Sequence, residues 1–349
     1  MDEVYTGLAE RLNHPKSPFL LQILQKIMTP EEGRLVLELP LPTVELAAKL
    51  NANEGQINSS IQDLWRRGLL TAIKDGYAFW DDALWLHDWS LAVEGLDPVV
   101  RQLWKDWIET DEMSHHVAKQ MAGPRTPYVR LVPTAKSLDA FKKVSNEPVL
   151  PYEDPRQIVE GVELIALRDY CSCRRVMMHC EHPHKTCLQF NQYAEHDISR
   201  SIARKISVDE AVAVLDMSEE SGLVHLLQNT AEFSRIRSIC NCCECGCFVI
   251  FPGKRHNTLR ETIAKTRYEA VVDLEACEGC QLCIDRCNFD AIDMVKPAGS
   301  KKYKVYIDPE KCWGCGVCLT VCEPEAISLK LVRPVTHIPV KASQKAYMA

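Results

Sequence analysis

The sequence has no Gly-rich loop of the kind that cradles a dinucleotide or a nucleoside triphosphate. It also has no acid–base constellation that would mark chemistry on a substrate. No apolar run approaches the length that spans a bilayer. The opening residues Met1 to Tyr5 show neither the basic nor the apolar stretch of a secretory signal, so a reducing cytoplasm is expected. A basic surplus is missing too. Lys and Arg number 41 against 48 Asp and Glu, a net charge of −7, which argues against nonspecific nucleic-acid binding and suits an acidic redox carrier. What the chain does have is cysteine, 17 in 349 residues. In a small secreted chain that would mean disulfides; here the thiols gather at metal-ligand spacings.

The clearest of these gatherings is near the C-terminus. Cys277, Cys280, Cys283 and Cys287 follow the spacing C-x2-C-x2-C-x3-C, and Cys312, Cys315, Cys318 and Cys322 repeat it. A tight loop can point three such thiolates into one small volume suited to a cubane, while the fourth opens a helix that carries it to the other cubane. Cys277, Cys280, Cys283 and Cys322 are therefore assigned to one [4Fe–4S] cluster, and Cys312, Cys315, Cys318 and Cys287 to a second. Gly279, Gly314 and Gly316 stand where the backbone must turn sharply beside a cluster. Zinc ribbons also use C-x2-C pairs, but eight cysteines in this doubled pattern have no common zinc reading.

Over residues 270–332 the chain resembles the bacterial two-cluster ferredoxins. That family usually has Pro directly after the fourth cysteine of each run; here Asn288 and Glu323 stand there instead. Ala291-Ile292 and Ala326-Ile327 match the family's short strand after each helix.

Further back, residues 1–30 read as a helical lead-in, with Phe19, Leu20, Ile23, Leu24 and Ile27 on one face. Thr43 is expected to cap a helix through Leu50, and a second carries Ile57, Ile61 and Leu64 inward before Gly68. An Asp75-Gly76 turn then joins two short strands. Two helices and a hairpin outline a winged helix over 1–95. Within residues 1–90, 8 Lys and Arg face 13 Asp and Glu, which favours protein docking over DNA. Trp80, Trp85, Trp89, Trp104 and Trp107 crowd the next stretch, read as helix packing with a partner surface as the sharper alternative. His115-His116 reads as a solvated pair. Six prolines between 123 and 155 suggest an extended connector.

Nine cysteines lie outside the ferredoxin runs: Cys171, Cys173, Cys180 and Cys187, then Cys240, Cys242, Cys243, Cys245 and Cys247. A helix after Ser207 separates the groups, and two thiol-rich hairpins brought together in this way make a metal site. With Leu150-Pro151-Tyr152-Glu153, Cys-x-Cys-Arg at 171–174, Gly222 to His225 and Ile239 to Cys243, the region 148–332 is similar to ferredoxin-like proteins of anaerobes. In these a Cys-rich domain precedes the two-cluster module. Cys171, Cys173, Cys180, Cys187, Cys242 and Cys243 are the chosen ligands, for a third [4Fe–4S] cluster ahead of structural zinc, with His179, His182 and His184 as further candidates. Arg174 and Arg175 would offset thiolate charge.

The expected protein is thus α+β and multidomain. A winged-helix-like domain occupies 1–95, a Trp-rich helical and Pro-rich connector 96–150, and a central Cys-rich α/β metal-binding domain 151–252. A basic linker at 253–270, a ferredoxin-like 2[4Fe–4S] domain at 271–332 and a tail at 333–349 complete it. Its expected work is single-electron transfer between a low-potential donor and a partner enzyme, without a substrate site of its own. A redox-sensing DNA-binding regulator and an electron-feeding subunit of a larger oxidoreductase are the rivals. Redox partner proteins, self-association through the N-terminal domain and no membrane span complete the expectation.

Overall fold

The structure is a computed structural model and describes residues 2–122, 126–177, 180–297 and 302–340. It is a mixed helix and sheet protein. Helices α1 (Asp2–Arg11), α2 (Pro18–Ile27) and α3 (Pro30–Glu38) come first, and Leu8, Leu12, Leu20, Ile23 and Leu24 are fully buried among them. Each such side chain contributes roughly 1.5–3 kcal/mol by leaving water. A capping box fixes the start of α3, where Thr29 and Glu32 satisfy each other's backbone N–H groups. Helices α4 (Thr43–Leu50) and α5 (Glu54–Arg66) follow, then the antiparallel hairpin of β1 (Leu70–Ile73) and β2 (Gly76–Phe79). Thr43 does not cap α4 as expected. Pro42 holds the cap position, and the Thr43 hydroxyl donates to Asn58 Oδ1 on α5 at 3.1 Å.

Helices α6 (Ala83–Ser90), α7 (Pro98–Ile108) and α8 (Asp111–Met121) gather the tryptophans. Trp80 stacks on Trp89 with centroids 5.8 Å apart, and Trp104 on Trp107 at 5.4 Å. All four are buried, so they pack the interior and present no partner surface; Trp85 is half-buried. The histidine pair is engaged as well. His116 Nε2 lies 2.8 Å from Asp82 Oδ1, and the His115 ring meets that of His256 at 4.0 Å.

The stretch expected as an extended connector instead supplies β3 (Val129–Val132) and α9 (Ala135–Val144). After α10 (Pro155–Glu160) come β4 (Ile165–Arg168), α11 (Ser172–Val176), β5 (Leu188–Phe190), α12 (Asn191–Ser199) and β6 (Ala203–Ile206). Helix α13 (Val208–Glu220), β7 (Val224–Gln228) and β8 (Ser238–Cys242) follow. The basic stretch read as a linker helix folds as α14 (Ile250–Arg255), α15 (Leu259–Thr262) and β9 (Ile263–Ala264). Together these strands form a seven-stranded sheet in the order β6-β4-β5-β8-β7-β3-β9, antiparallel except between β3 and β9. Strand side chains alternate between faces. Leu167, Leu188 and Ile239 face the core built with Val159, Val214 and Leu215 on α10 and α13. The alternate positions, Arg168, Gln189, Ser238, Cys240 and Cys242, line a cavity on the other side.

Beyond β9 lie β10 (Tyr268–Val272), α16 (Leu282–Asp285), β11 (Ile292–Val295), β12 (Lys304–Ile307) and β13 (Ile327–Leu331). The first strand pairs with the last, Tyr268 opposite Leu331, and β11 pairs with β12. Helix α9 packs against β13, and the Thr134 N–H donates to the Cys315 carbonyl at 2.9 Å. A buried ion pair, Arg267 to Glu153 at 2.9 Å, ties the same region to residues 151–153. Residues 333–340 of the tail, expected to be flexible or wrapped on a partner, lie back on the chain, where the Ala231 N–H donates to the Pro339 carbonyl at 2.9 Å. Residues 341–349 are outside the described residues. Among the described residues no helix is long and apolar enough to cross a membrane.

Candidate metal centres

The eight C-terminal thiols form two neighbourhoods. Burial pushes the Cys283 thiol up to about 11, and its thiol neighbours are Cys322, Cys280 and Cys277. Burial likewise pushes Cys315 up to about 12, beside Cys287 and Cys312. Cys318 is raised for the same reason and faces Cys315, Cys312 and Cys287, with Cys283 beyond them. Buried thiols held neutral in this way must give up protons to any metal they ligate. Backbone N–H groups already point at sulfur, Ala270 to Cys312 at 3.4 Å and Ala291 to Cys287 at 3.3 Å. Such donors favour the thiolate form that an iron needs. The donor set therefore fits two clusters. One detail departs from expectation. The third cysteine of each run lies in a one-turn helix, Cys283 in α16 and Cys318 in a 3-10 turn, and the fourth follows that turn instead of opening a helix.

Two glycines are required here by geometry. At Gly314, φ is +69° and a Cβ would stand 2.0 Å from the Tyr268 carbonyl oxygen; at Gly316, φ is +77° and a Cβ would meet Ser137 Oγ at 2.2 Å. A left-handed backbone alone costs a non-glycine residue roughly 1–2 kcal/mol. Gly314→Ala is expected to lose more than that, because backbone must also move, and to release iron from the Cys312 neighbourhood. Iron analysis and thermal unfolding of the anaerobic variant check this; an unchanged iron content would contradict it.

Where the family resemblance implies a proline, Asn288 clamps two segments. Its amide donates to the Gly222 carbonyl at 3.0 Å and its Oδ1 accepts from the Glu244 N–H at 3.0 Å. This stitches the fourth-ligand loop to the central thiol region.

The nine central thiols divide. Six form a row in which neighbours interact, Cys173, Cys171, Cys187, Cys240, Cys242 and Cys247. They border a cavity of about 170 Å³. Hydrogen bonds from the flanking thiols hold Cys171 and Cys240 well below the usual thiol range, and the same bonds push Cys173, Cys187 and Cys242 up. The Cys247 sulfur accepts from the Val249 N–H at 3.4 Å. Arg168 and Arg174 border the same space. Despite burial, the Arg174 guanidinium is held charged by Cys171, Cys187, Cys242 and Cys243 around it. His87 also lines the cavity. Burial drives its pKa down to about 3, and neither ring nitrogen has a partner. A neutral imidazole with a free N–H is suited to a sulfur acceptor. Thiols, cations and an unpartnered donor around one void fit a thiolate-bound cluster.

Cys180, Cys243 and Cys245 make a separate group, each sulfur 3.5 Å from the other two. Of the six central ligands read from sequence, the structure therefore brings Cys171, Cys173, Cys187 and Cys242 together and places Cys180 and Cys243 elsewhere. Cys240 and Cys247 were missed from the cavity set, and Cys245 from the triad. All three carry the same sequence signal, a two-residue spacing from another cysteine, which does not say which thiols share a site. Arg175 turns away and donates to the Leu91 carbonyl at 3.0 Å. The His182 N–H hydrogen-bonds the Cys180 sulfur, and the His184 carbonyl accepts from Thr186 N at 3.1 Å. His179 lies outside the described residues.

A family model of the 4Fe-4S dicluster domain matches residues 276–326. This segment is an iron–sulfur, ferredoxin-like module. No curated protein and no solved structure matches the chain. The module shares its apolar core with α9, through Leu138 and Phe141, and Cys277, Cys283, Cys312 and Cys318 lie within that core, with Cys287 and Cys322 packed against it.

Proposed function

We propose that the chain is an electron-transfer protein with three cluster sites in series, passing single electrons between a low-potential donor and a partner enzyme in a reducing, anaerobic setting. When bound, [4Fe–4S] clusters supply the one-electron redox chemistry. Cys277, Cys280, Cys283 and Cys322 hold the outer site, Cys312, Cys315, Cys318 and Cys287 the inner one, and the cavity thiols the third.

The observation that carries this reading is one apolar cluster. It packs Cys242 and Cys247 of the cavity with Phe289, Trp313 and Val317 of the module, and Cys240, Cys287 and Cys315 pack against its edge. Phe289 and Trp313 approach with centroids 5.3 Å apart. A dense, dry medium between two thiol sites suits electron passage and keeps water from the buried sulfurs. The cavity thiols also stand too far apart for one small ion. Among the described residues, no three of them converge within 4.8 Å. That favours a multi-iron core over structural zinc in the cavity.

The exposed end is Cys280, flanked by Leu282 at 50% exposure and Tyr303 at 59%. Electrons enter or leave there, against a partner that covers these side chains. At the other end of the chain, α5 exposes Gln56, Asn58 and Ser59 from a net acidic winged-helix-like domain, which serves protein docking.

Anaerobic full-length protein titrated with reduced methyl viologen tests this. It should take up about one electron per cluster in reversible steps and return them to an added oxidant. Irreversible uptake, or none, would remove the proposal.

A further inference from the structure

The Cys180, Cys243 and Cys245 triad has a geometry unlike that of any other thiol set in the described chain. The three sulfurs form an equilateral triangle with 3.5 Å sides. Among the described residues this is where three Cys, His, Asp or Glu donors lie within 4.8 Å of one another. A metal–sulfur bond of about 2.3 Å in a tetrahedral shell sets its sulfurs about 3.8 Å apart. In a cubane each thiolate binds a different iron at an outer corner, so its thiolates stand farther apart than that. A disulfide would require about 2.05 Å between two sulfurs and leave the third without a partner.

The surroundings are built for closeness. At Gly246 a Cβ would stand 3.2 Å from Cys180 Sγ, 3.3 Å from Cys243 Sγ and 2.8 Å from Arg174 Cγ, so a side chain there would press on the triad. Cys180 and Cys243 are buried, and Cys245 is half-buried. Three thiolates around a divalent ion carry a net charge of −1, and the buried Arg174 guanidinium next to Cys243 offsets it.

We propose that Cys180, Cys243 and Cys245 bind a single tetrahedral zinc ion, separate from the iron–sulfur sites, with His182 or solvent in the fourth position. The chemistry is ligation without redox change: up to three thiol protons leave as the ion binds. The ion clamps the segment carrying Cys187 to the loop carrying Cys242 and Cys247, and so holds the cavity thiols in register.

Zinc and iron are measured together in the anaerobic full-length protein, and the zinc shell is read by X-ray absorption. About one zinc per chain with three sulfur neighbours near 2.3 Å is expected. Cys245→Ser should lose that zinc while the ferredoxin-module iron stays. If the variant fails to fold, the absorption shell of the native protein decides alone. Iron without zinc, or zinc bound mainly by nitrogen and oxygen, would overturn the proposal. So would a Cys245→Ser protein that keeps its zinc and loses about four irons. A three-sulfur zinc shell stands whether the iron count is about eight or about twelve, so this test and the test of the third cluster fail separately.

Discussion

Full-length protein assembled anaerobically is expected to carry about twelve irons per chain, and Cys242→Ser about eight. Cys242 interacts with Cys240 and Cys247 in the cavity row and is 8% exposed, while six of the eight C-terminal thiols lie in or against the core shared with α9, which does not include Cys242. Removing it therefore subtracts one centre and leaves the module loaded. The loss should appear as about four irons and sulfides, and as one fewer signal in the EPR spectrum of the reduced protein. Cys173→Ser, at one end of the row, should give the same result. Eight irons in the unaltered protein would leave the cavity without a cluster and end the electron path at the module.

The second large effect concerns Arg168. Its Nε donates to Asp197 at 2.6 Å and its Nη1 to Asp88 at 3.1 Å, with Arg168 3% exposed and Asp197 fully buried. Burial alone would raise the Asp197 carboxyl, but Arg168 overrides it and holds the group below the usual range. Arg168→Met leaves that carboxylate buried with only His196 Nδ1, 3.4 Å from its Oδ1, as a side-chain partner, a loss of about 3–5 kcal/mol. Denaturant unfolding measures it, and a loss under about 1 kcal/mol would contradict the pairing. The double variant Arg168→Met with Asp197→Leu should recover most of the stability. The pH dependence has a definite sign. A carboxyl lowered in the folded state stabilises fully above its unfolded value of about 4, and that contribution fades as pH falls below it. Acid should thus narrow the gap between the variant and the parent.

The C-terminal module was legible because its signal is local. Eight thiols recur within loops of a few residues, and the strands after them begin at Ile292 and Ile327, where Ala-Ile pairs marked them. The central thiols were legible as two segments that meet, but not in their grouping. Cys242 and Cys243 are adjacent in sequence, yet the end of β8 turns one into the cavity and the other into the triad. That divergence depends on a strand whose partners, β5 and β7, begin at Leu188 and Val224. The stretch after residue 123 misled for a different reason. Prolines punctuate it, β3 is four residues long, and α9 shows few apolar marks beyond Leu138 and Phe141, too few to display a period. The tryptophan cluster was read correctly in its plainer sense, since large aromatic rings close gaps between helices.

The seat of Ser137 at Gly316 has a mechanical consequence. The hydroxyl fills the space a side chain would need, the neighbouring Thr134 N–H holds Cys315, and Lys136 reaches the Thr320 carbonyl at 3.1 Å. The inner thiol loop is thereby keyed into the rest of the molecule at several points, with no hinge between them. On the proposed reading, the spacing from the inner to the cavity site is then set by the fold and is insensitive to viscosity or crowding. On the same reading, gating of electron flow acts at the solvent-facing end, by the arrival and departure of a partner that covers Cys280.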